Sequence, residues 1–298
     1  MNSVVHYTHC PVCASADLKT VLTVKDYTVS QKEFAIAECE NCALRFTQDV
    51  PDQDSIGPYY KSENYISHTD TSKGVVNRLY KIVRKRTLAQ KRKLIVQATG
   101  STSGTLLDVG AGTGGFLNEM KENNWQVKGL EPDVDARTVA KSLYGIELEE
   151  SGRLFSLAQE SFDAITMWHV LEHVHALNDY ISQLKKLLTV TGRLIIAVPN
   201  YTSYDAASYQ RYWAAYDVPR HLYHFSPKAM KTLIEKHGLK MIAMKPMWFD
   251  SFYVSLLSSK YKNGSTNWIG AAWTGSASNV NALFNREKCS SQIYIISK

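Results

Sequence analysis

The sequence predicts an α/β protein with a doubly wound, mostly parallel sheet of seven strands and a small four-cysteine domain at its N-terminus. Strand-like and helix-like segments alternate from about residue 104 onward, and two CxxC pairs lie near the start of the chain. Such alternation is typical of a parallel sheet with helices on both faces. We therefore predict a zinc-ribbon domain at 1–50, a helical connector or lid at 51–103, and an α/β domain at 104–298.

The composition excludes several classes of protein. The 298 residues include 34 Lys and Arg against 28 Asp and Glu, which gives a net charge of +6, and 44% are hydrophobic. These values are ordinary for a globular chain, so wholesale disorder and a fibrous structure are excluded. Uncharged apolar runs stay short of the roughly 18 residues that a membrane span needs. The N-terminus lacks the basic start and apolar run of a secretory signal, so we expect a cytoplasmic protein.

Short apolar runs predict the seven strands of the α/β domain. They lie at Thr105–Val109, Gln126–Leu130, Ile146–Leu148, Phe162–Trp168, Arg193–Val198, Leu239–Met244 and Gln292–Ile296. Segments whose apolar residues recur at helical spacing lie between these runs. Gly145 fits the C-cap of one helix, and Ser226-Pro227 fits the start of another, because Ser caps free N–H groups and Pro suits the first turn. Insertions on the substrate side are predicted at about 200–225 and 246–290.

The two CxxC pairs predict a structural zinc site. Cys10 and Cys13 form the first pair, and Cys39 and Cys42 form the second. Two thiolates on each of two tight turns complete a tetrahedral four-sulfur site. Such a site leaves no open position for catalysis. It would stabilise a segment of about 50 residues that is too small to rely on its own core.

A glycine-rich turn follows the first predicted strand. Gly110, Gly112 and Gly115 satisfy the GxGxxG pattern of dinucleotide sites. Gly110, Gly112 and Gly114 also satisfy the tighter GxGxG form, with Asp108 two residues before the first glycine. An acid there would repel a pyrophosphate but suits a ligand that carries a positive charge. Glu131 ends the second strand, where a carboxylate can accept both hydroxyls of a ribose.

The segment Ser161–Val174, which includes Trp168-His-Val-Leu-Glu-His173, resembles the fourth-strand motif of class I S-adenosylmethionine (SAM) methyltransferases of the ubiquinone O-methyltransferase type. With the glycine turn, the resemblance covers about residues 104–245. With the CxxC pairs added, the chain resembles the zinc-ribbon-bearing bacterial methyltransferases, an arrangement that sugar C-methyltransferases share. The resemblance implies a Rossmann-like fold, SAM as cofactor and a small or carrier-linked acceptor, such as a sugar, a lipid-linked molecule or a quinone. His169 stands where ubiquinone-type relatives have an acid, so their metal-assisted mechanism does not carry over directly.

The predicted site residues follow from these motifs. Residues predicted to bind the cofactor are Asp108, Gly110, Gly112, Gly114, Glu131, Pro132, Trp168 and His169. Residues predicted to bind the acceptor are Tyr60, Tyr65, Tyr216, Arg220 and His221. Arg220 is predicted to clamp an anion, and His169 or His221 is the candidate base for an acceptor that must lose a proton. His173 is expected to hydrogen-bond the backbone instead.

Other interpretations stay open at this stage. His169, Glu172 and His173 spell HxxEH, a zinc-protease motif when it lies on one helix. A basic helix at 73–93, with nine Lys or Arg, could bind nucleic acid together with the zinc ribbon, either in a nucleic-acid-binding protein or in an RNA- or DNA-directed methyltransferase, although we favour a small acceptor. An NAD(P)-dependent oxidoreductase is a further alternative, but we find no Tyr-x-x-x-Lys pattern after the fourth strand.

Overall fold

The computed structural model describes residues 3–60 and 75–298, with the backbone alone described in 75–84. The chain divides into two compact units. The first comprises Met1–His68, Leu171–Asp179 and Ala197–Tyr294, and the second comprises Thr69–Val170, Tyr180–Ile196 and Ile295–Lys298. These units divide the chain differently from the predicted boundaries near residues 50 and 103.

Twelve strands are assigned within the described residues. They are β1 (Val4–Val5), β2 (Leu18–Lys25), β3 (Glu33–Cys39), β4 (Arg45–Thr47), β5 (Val50–Pro51), β6 (Gly104–Val109), β7 (Trp125–Leu130), β8 (Phe162–Trp168), β9 (Leu188–Pro199), β10 (Tyr223–His224), β11 (Lys240–Pro246) and β12 (Ser291–Ser297). The α-helices are α1 (Val75–Thr99), α2 (Gly115–Lys121), α3 (Val134–Tyr144), α4 (Leu177–Leu187), α5 (Tyr204–Tyr209), α6 (Pro227–Lys236), α7 (Asp250–Asn263) and α8 (Trp268–Phe284). Within the described residues, no helix is both long enough and apolar enough to cross a bilayer.

The central sheet has the order β11-β12-β9-β8-β6-β7. β6 pairs in parallel with β7 on one side and with β8 on the other. The chain therefore moves outward from β6 to β7 and then returns to the opposite side of β6. In open α/β sheets this reversal opens a crevice beyond the carboxyl ends of the strands, where ligands bind. Continuous buried runs in β6, β8 and β9 agree with a parallel sheet covered on both faces.

Local sequence signals set several element ends as predicted. Gly145 adopts a φ of 60° at the C-cap of α3, a left-handed conformation that glycine enters without a steric penalty. Ser226 caps α6 by accepting the N–H of Ala229 at 3.0 Å, and Pro227 occupies the first turn. One of the seven predicted strands is corrected by the structure: Ile146–Leu148 forms no strand, and the neighbouring Glu149 makes only a single parallel bridge to Leu130.

The N-terminal segment forms a four-stranded sheet of order β10-β4-β3-β2. β2 and β3 form an antiparallel hairpin with an irregularity between Thr20 and Leu22. β4 pairs with β10, which lies much later in the chain, through Phe46 opposite Tyr223 and Arg45 opposite His224. The N-terminal sheet is therefore completed by a strand from the predicted insertion at 200–225.

Candidate active site

The glycine turn after β6 has one open position. Gly110, Gly112 and Gly114 have φ angles of 76°, 54° and 76°, in the left-handed region that other residues rarely enter. A Cβ atom on Gly110 would lie 2.3 Å from Cγ2 of Val170, and one on Gly114 would lie 2.9 Å from Cβ of Ala140. A Cβ atom on Gly112 would meet no atom within 4 Å. The outer glycines thus permit close packing, whereas Gly112 exposes its backbone to a space that a ligand can enter.

Glu131 follows β7 and lies against this turn. Its Oε2 accepts the N–H of Gly112 at 2.7 Å, and its Oε1 accepts the N–H of Asp133 at 3.0 Å. Burial raises the pKa of this carboxyl, although the two backbone N–H groups act to lower it. Each carboxylate oxygen retains acceptor capacity, so the group can receive two neighbouring hydroxyls. The next residue, Pro132, is exposed, and its carbonyl accepts from Arg137 at 2.8 Å.

Asp108 lies beneath the turn near the end of β6. Only 2% of the residue is exposed, and its Oδ1 accepts the hydroxyl of Thr166 on β8 at 2.6 Å. Burial raises the pKa of Asp108 to about 7, although the Thr166 hydrogen bond and the nearby charge of Lys91 oppose the shift. At neutral pH Asp108 is therefore only partly ionised, and its hydrogen bond with Thr166 links β6 to β8 below the turn.

The end of β8 supplies an aromatic wall. Trp168 packs edge-on against Phe116, with ring centroids 5.7 Å apart, and Lys91 Nζ lies 4.2 Å from the Trp168 ring centroid. The buried Nε1 of Trp168 has no hydrogen-bond partner among the described residues. His169 follows with a φ of 59°, an unfavourable conformation for a residue with a Cβ, which turns the chain sharply away from the strand. Because β6 and β8 are parallel neighbours, this wall and the glycine turn lie at the same edge of the sheet.

A second cluster, in the first unit, joins Glu172, His173 and His221. Their potential ligand atoms all lie within 4.8 Å of one another, and the two histidine rings meet edge to face with centroids 4.6 Å apart. Glu172 is fully buried. Burial, and to a lesser degree the nearby His221, lower the pKa of His173 to about 4, so this ring is neutral at pH 7.

The proton positions on these two rings follow from their partners. His173 Nδ1 lies 3.0 Å from the carbonyl oxygen of Arg220, and His221 Nδ1 lies 2.8 Å from that of Ala215. A carbonyl oxygen can only accept, so Nδ1 of each ring carries a proton and donates it to that carbonyl. In the neutral His173 ring the lone pair is therefore on Nε2, which can accept a hydrogen bond or bind a cation. The expected backbone hydrogen bond of His173 is confirmed.

Arg220 is committed to contacts inside the first unit. Its Nε and Nη2 donate to the two carboxylate oxygens of Asp217 at 2.9 and 2.5 Å, and its Nη1 donates to the Tyr59 carbonyl at 3.1 Å. Asp26 lies 3.5 Å from Nη2, and only 3% of Arg220 is exposed. The guanidinium donors of Arg220 are therefore used within the protein and not for the anionic substrate that we predicted. We propose that Arg220 positions the loop that carries His221.

The two predicted tyrosines that the structure describes lie in different settings. The Tyr60 hydroxyl lies 3.0 Å from His173 Nδ1, at the edge of the histidine cluster. Tyr216 is 2% exposed, and its hydroxyl accepts from Arg45 at 2.9 Å, so its side chain belongs to the interior of the first unit. Tyr65 lies outside the described residues. Of the two described tyrosines, Tyr60 is the one whose placement is compatible with a contact to an acceptor.

The four predicted zinc ligands converge. Cys10 Sγ lies 3.5 Å from Cys42 Sγ, and Cys13 Sγ lies 3.4 Å from Cys39 Sγ. All four sulfurs lie within 4.8 Å of one another, and none forms a disulfide. Tetrahedral zinc with Zn–S bonds of about 2.3 Å requires sulfurs about 3.8 Å apart, so the donor set fits this metal.

The HxxEH segment does not have the geometry of a protease helix. β8 ends at Trp168, and only Leu171–His173 forms a short 3-10 helix. His169 thus precedes the helix instead of lying one α-helical turn from His173 on a common face. The sequence analysis named Glu172 only as part of the HxxEH motif. It did not predict that Glu172 and His173 would lie beside His221, because the fold alone brings His221 to them.

Comparisons with known proteins agree with this geometry. A family model described as a methyltransferase domain matches residues 80–244, more than half of the chain. An "uncharacterized methyltransferase" of Alkaliphilus oremlandii is 27% identical over 111 residues, which cover 36% of this chain and 50% of that protein. Another of the same description, from Staphylococcus carnosus, is 25% identical over 107 residues, covering 35% and 51%. The chain thus spans about half the length of these curated relatives.

A solved structure from Galdieria sulphuraria, described as that of "a putative sarcosine dimethylglycine methyltransferase", superimposes with a TM-score of 0.50 at 13% identity. The match covers 74% of this chain and 86% of that one. At this identity the likeness concerns the fold alone, and it confirms the Rossmann-like arrangement that the sequence predicts.

Proposed function

The chain belongs to the methyltransferase-domain family, and from that premise we propose that it is a SAM-dependent methyltransferase acting on a small or carrier-linked acceptor. The observation that carries the proposal is the open backbone of Gly112 beside the buried carboxylate of Glu131, at the point where the sheet order reverses. A flat, hydroxyl-bearing ligand such as a nucleoside fits this combination. When bound, SAM supplies a methyl carbon that is already activated by its sulfonium.

The protein groups have distinct proposed roles at this site. Glu131 accepts the ribose hydroxyls, and Gly112 lets the chain approach the ligand closely. Trp168, whose ring Lys91 already contacts, bounds the site at the end of β8, and the ionised form of Asp108 below the turn favours a ligand that carries positive charge. Methyl transfer then depends mainly on alignment of the two reactants, so rigid placement of the ligand is the main contribution of these residues.

We propose that the histidine cluster prepares the acceptor. We assign this role to Nε2 of His221, because Nδ1 faces the Ala215 carbonyl and Nε2 lies 4.0 Å from Asp217 Oδ2. A neutral His173 beside it avoids a competing positive charge. A base of this kind is useful for an acceptor that loses a proton as it is methylated, such as a hydroxyl or a carbon acid. His169, which follows Trp168 directly, remains the second candidate base.

We further propose that the four cysteines hold a structural zinc ion. The spacing of the sulfurs and the absence of disulfides among them support this assignment. The metal would stabilise the two turns at Cys10–Cys13 and Cys39–Cys42 through its four Zn–S bonds. With four thiolate ligands it would have no position for a substrate.

The test is calorimetric binding of SAM and S-adenosylhomocysteine to the purified protein. We expect micromolar binding that is lost in Glu131→Ala and kept in the matched control Glu150→Ala, which removes an exposed acid at the edge of the same unit. Folding of each variant is checked by circular dichroism. Absence of binding by the folded protein, or preferential binding of NADH, would contradict the proposal, and salt-sensitive binding of RNA or DNA would favour the nucleic-acid alternative.

A further inference from the structure

Helix α8 has its large apolar side chains on the outside. Trp268, Ile269, Trp273, Leu283 and Phe284 are 70, 86, 75, 68 and 89% exposed. At about 100° per residue these positions fall within an arc of about 160° on the helix surface. The helix is 17 residues long and contains no charged residue.

The opposite face of α8 consists of small residues. Ala271, Gly275, Ser278 and Ala282 are the buried positions of the helix. A Cβ atom on Gly275 would lie 2.9 Å from Cδ1 of Phe252 on α7, so the two helices pack closely. An amphipathic helix normally buries its large apolar residues and exposes its polar ones. Here the arrangement is reversed, which marks the outer face as a surface that binds something apolar.

Helix α7 and the residues before it extend this face. Trp248 and Phe249 are 37 and 48% exposed. Asn279 of α8 donates to the Trp248 carbonyl at 2.9 Å and accepts from Ser251 at 3.1 Å, which fixes this segment beside α8. We call the exposed side chains of Trp248, Phe249, Trp268, Ile269, Trp273, Val280, Leu283 and Phe284 the α8 face.

Positive charge borders both ends of the α8 face. Lys260 and Lys262 lie in the last turn of α7, shortly before α8 begins, and Arg286 and Lys288 follow its end. No acidic residue occurs from Ser251 through Arg286, and Glu287 is the one acid among these flanking charges. An apolar face rich in Trp, Leu and Phe with basic residues at its margins is the composition of helices that lie in the surface of anionic membranes.

We propose that the α8 face binds the surface of an anionic lipid bilayer, with α8 lying parallel to it. The tryptophans would enter the interface between headgroups and acyl chains, and the basic residues at both ends would contact lipid phosphates. A second copy of the chain is a poorer occupant: because both ends of α8 are basic, pairing two α8 helices in either direction brings like charges together. This inference does not depend on the acceptor or on the cofactor proposed above.

The experiment is flotation of the 298-residue chain with vesicles made of one part phosphatidylglycerol to two parts phosphatidylcholine. We expect the wild type to float with these vesicles, and binding to fall about a hundredfold in Trp268→Ser/Trp273→Ser/Phe284→Ser because three large apolar groups are lost. The matched control Leu143→Ser/Val190→Ser removes two apolar side chains that are 60 and 74% exposed elsewhere. It should bind like the wild type.

Two further measurements separate the possible results. Lys260→Glu and Arg286→Glu should each weaken binding about fivefold or more, and bilayer-embedded bromolipids should quench Trp fluorescence. Failure of the folded wild type to bind these vesicles would overturn the inference. Equal binding to vesicles of pure phosphatidylcholine would also overturn it, as would a dimer in sedimentation equilibrium that the triple variant abolishes. S-adenosylhomocysteine binding, measured in parallel, reports on the proposed function separately.

Discussion

Replacing Gly112 by alanine distinguishes a ligand space from a packing contact. The new Cβ atom would enter a region with no atom within 4 Å, so the protein loses only the cost of a left-handed alanine, about 1–2 kcal/mol. The same atom would project into the space assigned to the cofactor. We therefore expect a free energy of unfolding lower than that of the wild type by only about 1–2 kcal/mol, and S-adenosylhomocysteine affinity lower by about tenfold or more, as 1.4 kcal/mol of lost binding gives.

Gly110→Ala is the matched comparison. Its Cβ atom would lie 2.3 Å from Val170 Cγ2, so overpacking of about 1–3 kcal/mol adds to the backbone cost. Gly110→Ala/Val170→Ala should recover part of this loss. Urea unfolding measures stability, and calorimetry measures binding. The reasoning fails if Gly112→Ala binds S-adenosylhomocysteine as tightly as the wild type, or if Gly112→Ala is the less stable of the two variants.

Three further predictions concern charge and metal. Because burial raises the pKa of Asp108 to about 7, above its unfolded value of about 3.9, this acid costs stability as pH rises between those values. The free energy of unfolding of Asp108→Asn, relative to that of the wild type, should rise by up to about 3–4 kcal/mol from pH 4 to pH 8. A difference between the two proteins in urea unfolding that does not change with pH would contradict this. Because the pKa of His173 is lowered to about 4, we expect its ring to stay neutral at pH 5, with the proton on Nδ1. ¹⁵N NMR measures this, and the His173→Gln variant assigns the signal. Titration of that signal near pH 6.5 would refute the prediction. Stability from this ring should be complete above pH 6.5 and lost as pH falls toward 4. Cys13→Ser should lower the zinc content, measured by mass spectrometry of metals, and should also lower the Tm. The control is Cys289→Ser, at a buried cysteine outside the cluster, and it should leave the zinc content unchanged.

Features encoded in contiguous residues were predictable from the sequence. The CxxC pairs fix two thiolates on each turn, and the fold only has to bring the two turns together. The glycine turn and Glu131 follow strands whose carboxyl ends share one edge of a parallel sheet, so their proximity follows from the predicted topology. Helix ends at Gly145 and Ser226 depend on local hydrogen bonds and backbone conformation, which the residue types specify directly.

Other features depend on distant partners and could not be predicted. Arg220 is a strong candidate for anion binding by type, and only its contacts with Asp217 and the remote Asp26 show that its donors are used internally. The cluster of Glu172, His173 and His221 joins two consecutive residues to one that lies much later in the chain. The aromatic residues of α8 were visible in the sequence region 246–290, but their exposure depends on which helix face packs against α7.

The most direct test of the central claim is a crystal structure of the protein with S-adenosylhomocysteine. We predict that both ribose hydroxyls are bound by the Glu131 carboxylate and that the ligand passes over Gly112 at the reversal point of the sheet. A ligand bound elsewhere, or a site that admits NADH with its pyrophosphate on the glycine turn, would contradict the methyltransferase assignment.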